Sequence, residues 1–297
     1  NHADTRSIAK GVRHDANSKK LAAQPSQRSH VHQSLCITCC VCTLLVTRSR
    51  FDPRQPDAMD RISDWSKLNP EAKRFRQNTA RTHAGALSQI TNAFVEIATP
   101  APLAAAGSLN GLPYAAKDIF RTNAREPGCG FGAGFASGIK GFDDHLQRLA
   151  AAGADLIGFA NMTELAYEPS GFNATLGRVR NPWNLDFISG GSSSGSAAAV
   201  AGGAVVAALG SDTGGSLRIP AHACGVTAWK PTHGLVSARG AMPLAPTLDA
   251  VGALARSAKD LLLLAPLLGS PSATQPPRRA VVLNDVVAEC DPEIQRC

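Results

Sequence analysis

The chain has 297 residues, of which 44% are hydrophobic and 5% aromatic, so it can bury one large core or two ordinary ones. Its formal net charge of +7 lies almost wholly in residues 1–55, where nine Lys and Arg residues stand against three acidic ones. The other 242 residues hold 21 basic and 20 acidic residues. They lack the concentrated positive charge of a nucleic-acid-binding surface, which excludes that class of partner.

The first 58 residues differ from the rest of the chain. They are rich in Ser, Gln, His and Lys without a sustained period, which predicts a disordered or non-native extension over residues 1–58. Their apolar island, residues 35–46, is shorter than the ~20 residues that span a bilayer and lacks a signal-peptide cleavage site, so no membrane partner is predicted. We expect a domain over residues 59–297, beginning at Met59 and incomplete at its C-terminus.

Cysteine usage predicts a reducing compartment and no metal. Cys36 and Cys39 have the spacing of zinc ligands, but no second cysteine or histidine pair follows at the required distance. Scattered thiols are expected to be buried and reduced, which predicts a cytoplasmic protein. The scattered cysteines are Cys129, Cys224, Cys290 and Cys297.

Helix and strand patterns alternate from about residue 68 onwards, with fully apolar strands. This alternation predicts an α/β fold on a largely buried sheet. Residues 270–277 form the best predicted linker. In chain order the predicted elements are one or two helices over 70–97, a strand over 112–117, a helix over 142–153, a strand over 154–161, a helix over 197–203, a strand over 204–210, a helix over 257–269 and a strand over 278–285.

The helix over 142–153 is expected to begin with Asp143 or Asp144 as its N-cap and to end at Gly153. Leu146, Leu149 and Ala150 are predicted to form its buried face, which would leave His145 on the exposed side.

Residues 190–196 read GGSSSGS, a cluster that fits several kinds of loop. A phosphate-binding P-loop is excluded because alanines follow the cluster where that motif requires a lysine. The alternating glycines over 128–134 never give the G-x-G-x-x-G pattern of a dinucleotide site. A flexible linker is disfavoured because the cluster lies between apolar segments.

A nucleophile elbow is a sharper alternative, since residues 191–195 formally match G-x-S-x-G and would make Ser193 the nucleophile. That interpretation requires a downstream acid and histidine and an upstream oxyanion loop. Asp212 with His222 or His233 is the whole supply, both histidines are expected in turns, and the oxyanion loop is missing.

A second cluster, SDTGGS at residues 211–216, follows a strand and places consecutive backbone N–H groups where they can converge on an oxyanion. Its serine requires a base, and no histidine has a matching context. Lys117 ends an apolar strand, and burial there would lower its pKa and leave a neutral amine. The alternative is a lysine that merely emerges at a strand end.

Several motifs together resemble the amidase signature family of amide hydrolases. They are GLPYAAKD (111–118), GGSSSGSAAAVA (190–201), GSDTGGSLRIPAHACGV (210–226) and KPT (230–232). The resemblance extends from about residue 70 to the end of the chain and implies a mixed β-sheet covered by helices on both faces. Ala228 and Trp229 replace the Gly-Leu pair that commonly precedes KPT, a change expected to affect packing rather than chemistry.

The resemblance assigns roles by matching positions. It makes Ser216 the acyl-enzyme nucleophile, Ser192 a bridging serine that follows a cis peptide bond, and Lys117 the base. It implies four backbone oxyanion donors, on Thr213, Gly214, Gly215 and Ser216. It implies four supporting residues, namely Gly191, the hydrogen-bonding Ser193 that would touch the lysine, and Asp212 and Arg218, which would order the loop unless Arg218 met an acidic substrate.

The implied reaction is hydrolysis of a carboxylic amide through a serine acyl-enzyme, releasing ammonia or an amine without a metal or an organic cofactor. A small-molecule amide is the implied partner, and a homodimer stays open. Two alternatives also stay open: a glutaminase resembling the A chain of glutamyl-tRNA(Gln) amidotransferase, which passes ammonia to a partner, and an inactive fragment that serves as an interaction module.

Overall fold

A computed structural model describes residues 61–100 and 107–270, apart from positions 134, 136, 137, 140 and 142, together with residues 284, 288, 289 and 292. The extension over 1–58 lies outside these residues, as do the linker and strand predicted over 270–285 except for Ser270 and Asn284. No helix in the described part of the chain has both the length and the apolar composition needed to cross a membrane.

The described chain folds around one six-stranded sheet. Its strands are β1 (Phe94–Ile97), β2 (Pro113–Lys117), β3 (Asp155–Ala160), β4 (Ala207–Asp212), β5 (Thr227–Trp229) and β6 (Ala250–Ala255). The helices are α1 (Ile62–Lys67), α2 (Pro70–Thr91), α3 (Asp144–Ala151), α4 (Ser194–Ala201), α5 (Arg218–Cys224) and α6 (Ala258–Leu264), with a short 3₁₀ helix at Glu164–Ala166.

The strand order is β1-β3-β2-β4-β6-β5. The three central strands β3, β2 and β4 run parallel, whereas β1 pairs antiparallel with β3, and β6 pairs antiparallel with both β4 and β5. The sheet is therefore mixed, with a parallel centre. Because β2 and β4 are parallel neighbours, their carboxyl ends meet at one edge of the sheet.

Helices cover both faces of the sheet, as predicted. On β2, Tyr114 and Ala116 point into one apolar core, which includes buried residues of α1, α3 and α6. Ala115 points the opposite way, into a second core that includes buried residues of α2, α4 and α5. This alternation follows from the two-residue period of a strand, and it confirms the α/β fold class.

The predicted helical segment over 70–97 is correct at its start and wrong at its end. Asn69 caps α2 by accepting a hydrogen bond from Ala72 N at 2.8 Å. The helix ends at Asn92, whose φ of +60° is left-handed, and residues 94–97 form β1 beside β3. Phe94 and Val95 are residue types that favour strands, and the sequence pattern did not separate them from the helix before them.

Asp143 caps α3 by accepting hydrogen bonds from the backbone N–H groups of His145 and Leu146. The predicted exposure of this helix was partly wrong. His145 is fully buried and its Nε2 lies 2.6 Å from Ser237 O, whereas Ala150 is exposed. The segment around Ser237 covers the side of α3 that the sequence pattern assigned to solvent.

Two strands and one helix near the site were not predicted. β5 and β6 consist mainly of small or mixed residues, so neither shows the strong β-propensity that marks a strand. α5 contains His222, which was expected in a turn. Its helix follows a loop rich in glycine, and that loop masks the helical period.

Close packing of α4 gives a test of the fold. A Cβ added to Gly195 would lie 2.5 Å from the backbone N and O of Asn161 and closer still to Ala93 O. Backbone atoms cannot swing away, so we predict that Gly195→Ala lowers the free energy of unfolding by about 2 kcal/mol or more, measured by urea denaturation.

Gly85 supplies the matched control. It lies inside α2, and a Cβ there would meet no atom within 4 Å. Gly85→Ala is expected to raise the free energy of unfolding by about 0.5–1 kcal/mol, because alanine favours the helix. Equal losses in the two variants would contradict the packing argument.

Candidate active site

Lys117 is the central residue of the site. It ends β2, its side chain is completely buried, and its Nζ donates hydrogen bonds to Ser192 Oγ at 2.6 Å and to Ser211 Oγ at 2.9 Å. The two serines come from different segments, one just before α4 and one within β4. The carboxyl ends of the parallel strands thus bring two hydroxyls from distant parts of the sequence to a single nitrogen.

Burial controls the charge of this amine. Loss of hydration lowers the pKa of Lys117 to about 7, against the opposing charges of Asp212, Asp249 and Cys129. A large fraction of the lysine is therefore uncharged near neutral pH. A neutral amine at hydrogen-bond distance from a hydroxyl can accept its proton.

The peptide bond between Gly191 and Ser192 is cis. A Cβ on Gly191 would lie 2.6 Å from Glu168 O, so the close approach of two backbone segments requires glycine here. Ser192 is fully buried, and its carbonyl accepts a hydrogen bond from Thr163 N at 3.3 Å. These contacts hold the Ser192 hydroxyl toward Lys117.

The loop between β4 and α5 wraps around the carboxylate of Asp212. That carboxylate accepts hydrogen bonds from Gly215 N at 2.9 Å and Leu217 N at 3.1 Å, and it forms a two-point ion pair with Arg218. Burial alone would raise the pKa of Asp212, but the hydrogen bonds from Arg218 and the backbone hold it below its usual range. Arg218 is engaged with the loop in this structure.

The four expected oxyanion donors differ in their surroundings. Gly215 N–H is already bonded to Asp212, and Gly215 has a φ of +134° that favours glycine. Within the described part of the chain, the N–H groups of Thr213, Gly214 and Ser216 have no acceptor. Three neighbouring backbone donors are thus free to bind a negative oxygen.

Ser216 joins the site through its backbone. Its carbonyl accepts a hydrogen bond from Ser193 N at 3.2 Å, directly after Ser192. Its half-buried hydroxyl makes no hydrogen bond to Ser192 or to any other residue that the structure describes. The structure therefore brings Lys117 and Ser192 into direct contact and places Ser216 beside them without closing the last link.

The second serine on the lysine is Ser211, whereas the sequence pointed to Ser193. Ser193 Oγ instead donates to Ser211 O at 3.2 Å. Ser211 lies on β4, next to β2, and the parallel register decides which side chain reaches Lys117. Its place at the start of the SDTGGS motif was the only available sign. Asp249, which bonds Thr213, was also missed because it lies outside the motifs.

A cavity of about 440 Å³ opens beside the site and reaches it at Ser211 and Thr213. Most of its other lining is apolar, apart from Asp249 and the side chain of Arg239. Its apolar side chains include Ile119, Ile139, Met242, Leu244 and Val251. Such a mainly apolar concave space with a few polar groups is typical of a small-molecule site.

The described residues contain no group of three His, Cys, Asp or Glu side chains that could hold a metal ion. The Cys36–Cys39 pair lies outside the described residues.

Comparison with known proteins decides the family. The profile of the Amidase family matches residues 74–289, well over half of the chain. The chain belongs to the amidase family. The family expected from the motifs at 111–118, 190–201 and 210–226 is therefore confirmed.

Solved structures show the same amidase fold. The A chain of glutamyl-tRNA(Gln) amidotransferase from Thermotoga maritima is 32% identical with a TM-score of 0.66, over 75% of this chain and 50% of that one. A protein described as an amidase is 34% identical with a TM-score of 0.57, over 67% of this chain and 51% of that one. The 6-aminohexanoate cyclic dimer hydrolase is 27% identical with a TM-score of 0.61, over 79% of this chain and 52% of that one.

Curated amidase relatives are longer than this chain. The A chain of glutamyl-tRNA(Gln) amidotransferase from Thiobacillus denitrificans is 42% identical over 188 residues, which cover 59% of this chain and 39% of that protein. The chain spans about a third to two fifths of the length of the curated relatives it matches.

The buried amine predicts a pH dependence of stability. The pKa of Lys117 is about 7 in the folded protein, against 10.5 for an ordinary lysine, so between these values the unfolded chain binds more protons than the folded one. Stability contributed by this group therefore rises with pH. Relative to Lys117→Met, the wild-type free energy of unfolding should gain up to about 1.4 kcal/mol per pH unit between about pH 7.5 and 9.

The measurement is urea denaturation of both proteins at several pH values across that range. A difference between them that does not change with pH would contradict an uncharged, buried amine.

Proposed function

We propose that this chain carries the catalytic centre of an amidase that hydrolyses a carboxylic amide through an acyl-enzyme on Ser216. The observation that carries the proposal is the fully buried Lys117 within 2.6 Å of the Ser192 hydroxyl. A desolvated lysine beside two serines is costly to maintain in a core and is suited to accept a proton at neutral pH.

Proton transfer runs through Ser192. When Ser216 attacks the amide carbonyl, its proton passes to Ser192, which gives its own proton to Lys117. The step from Ser216 requires its hydroxyl to rotate toward Ser192. Catalytic hydrogen bonds are often long in the free enzyme and shorten when substrate binds. Lys117 later returns the proton by the same route to the departing amine or ammonia, and water then releases the acid.

The free N–H groups of Thr213, Gly214 and Ser216 support an oxyanion-binding role. Negative charge forms on the carbonyl oxygen during attack, and fixed donors nearby stabilise it without reorganisation. Gly215 is expected to act differently from the other three, because its N–H already binds Asp212. Its role is to shape the loop.

The substrate is proposed to be a small amide whose acyl part is mainly apolar. The cavity that touches Ser211 and Thr213 has this character. Arg218 is held by Asp212 and supports the loop, so it is not proposed to bind an acidic substrate. A domain over residues 59–297 remains a proposal.

A cytoplasmic location is also proposed, supported by the thiols of Cys129 and Cys224, which are buried and free in the structure.

A glutaminase is the second candidate function. Several curated relatives, 41–46% identical to this chain, carry the name of the glutamyl-tRNA(Gln) amidotransferase A chain. Such a protein would release ammonia from glutamine and pass it to a partner chain. The inactive-fragment alternative is weaker, because a chain without catalytic function has no need for a buried lysine beside two serines.

The nucleophile can be tested by covalent labelling. We predict that a fluorophosphonate probe labels the wild-type chain and that Ser216→Ala abolishes labelling and amide hydrolysis, because the attacking oxygen is gone. Ser66→Ala changes an exposed serine of α1 and should leave both unchanged. Labelling that persists in Ser216→Ala, located by mass spectrometry, would show that another residue is the nucleophile.

The base can be tested by pH. Since Lys117 must be uncharged to accept a proton and its pKa is about 7, kcat/KM should rise with pH to a plateau, with a midpoint near 7. Lys117→Ala should lose about 100-fold or more of kcat/KM. Full activity of Lys117→Ala at neutral pH would refute the assigned base.

A substrate panel separates the two candidate functions. Ammonia release is measured with glutamine, asparagine and a series of aliphatic amides. The amidase proposal expects aliphatic amides to have the higher kcat/KM, because the cavity is mainly apolar. A clear preference for glutamine would favour the second candidate.

A further inference from the structure

Asp249 connects two parts of the site. It directly precedes β6, and its carboxylate accepts hydrogen bonds from Thr213 Oγ1 at 2.5 Å, from Leu244 N at 2.9 Å, and from Ala245 N at 3.1 Å and 3.0 Å. Thr213 begins the loop that carries the free backbone donors. Leu244 lines the cavity. One side chain therefore holds the oxyanion loop and the cavity wall together.

The sheet explains why Asp249 meets Thr213. Asp212 and Ala250 are paired residues of the antiparallel strands β4 and β6. The residue that follows Asp212 and the residue that precedes Ala250 therefore emerge side by side at the end of the pair. The contact is a built-in result of strand register, and a hydroxyl donating to a carboxylate is one of the stronger kinds of hydrogen bond.

The oxyanion loop is held at both ends by carboxylates. Asp212 binds the N–H groups of Gly215 and Leu217 at its far end, and Asp249 binds Thr213 at its near end. Between them Gly214 is exposed, and a Cβ there would meet nothing within 4 Å. Side-chain contacts that could fix this middle part are therefore absent from the described residues. The direction of the Thr213 and Gly214 N–H groups depends on the two anchors.

We propose that Asp249 is a positioning residue that aims the Thr213 backbone N–H at the reacting carbonyl by holding the Thr213 hydroxyl, and that it ties this donor to the cavity wall at Leu244. The inference rests on the proposed amidase function. A misplacement of about 1 Å at a reacting centre can cost a factor of about 100 in rate, so the anchor controls kcat more than substrate affinity.

Charge and hydrogen bonding at Asp249 have separable effects. The negative charge of Asp249, together with those of Asp212 and Cys129, opposes the effect of burial on the pKa of Lys117. Removing the charge should move the acid limb of the pH–rate profile to lower pH, because the lysine would lose its proton more readily. Removing only the hydroxyl of Thr213 leaves that charge in place.

The central test compares two substitutions of Thr213. Thr213→Val keeps the shape and deletes the hydroxyl, and it should lower kcat by about 10- to 100-fold, with KM changed by less than about threefold. Thr213→Ser keeps the hydroxyl and should retain kcat within about threefold. Wild-type kcat in Thr213→Val, or an equal loss in Thr213→Ser, would overturn the inference.

Asp249→Asn supplies the second measurement. An amide offers one acceptor oxygen where the carboxylate offers two, so kcat should fall, and the acid limb should move to lower pH. In Thr213→Val that limb should stay where it is in the wild type. An unmoved limb in a folded Asp249→Asn protein would contradict the arrangement, as would a shift in Thr213→Val.

Fluorophosphonate labelling of the wild-type chain keeps the two hypotheses apart. If the wild type labels at Ser216 and hydrolyses amides while Thr213→Val matches it, the amidase function stands and the Asp249 inference fails. If the wild type neither labels nor hydrolyses any amide, the proposed function itself fails.

Discussion

Removal of water from one amine is the constraint on which the rest of this site depends. Lys117 is among the largest fully enclosed side chains of the described chain, and two serine hydroxyls replace part of its hydration. A buried ammonium is costly, so the fold favours the neutral amine. To keep the hydroxyls of Ser192 and Ser211 at 2.6 Å and 2.9 Å from one nitrogen, the end of β2, the segment before α4 and β4 must all meet at one point. That requirement explains the parallel centre of the sheet.

Small residues make this meeting possible. A Cβ on Gly191 or Gly210 would approach a neighbouring atom to 2.6 Å or 2.8 Å, and Ser193 is one of the neighbours of Gly210. The low aromatic content of the chain fits this close packing of backbones. The site therefore gains its geometry from main-chain contacts and from two carboxylates, Asp212 and Asp249, that bind backbone N–H groups. Backbone anchors lose little entropy on ordering, which suits a site that must hold its donors still.

Sequence motifs predicted the family, the α/β fold and the meeting of Lys117 with Ser192, because long glycine and serine patterns allow few other arrangements. Ser211 and Asp249 were not predicted to contact the site, since strand register across the sheet decides which side chains meet there. His145 was placed on the wrong face because the segment that covers it follows 92 residues later. Contacts between remote segments carry no local period, and these are the features that pattern reasoning misses.

The order of the strands has a consequence for synthesis on the ribosome. The first three strands, β1, β3 and β2, form one half of the sheet from residues 94–160, and β4, β6 and β5 form the other half from residues 207–255. Lys117 lies on the seam between the halves. Until β4 emerges, the free side of β2 is an unprotected edge on the nascent chain, open to pairing with other polypeptides. The same seam that assembles the chemistry is thus where a stalled or shortened chain would be most prone to aggregate.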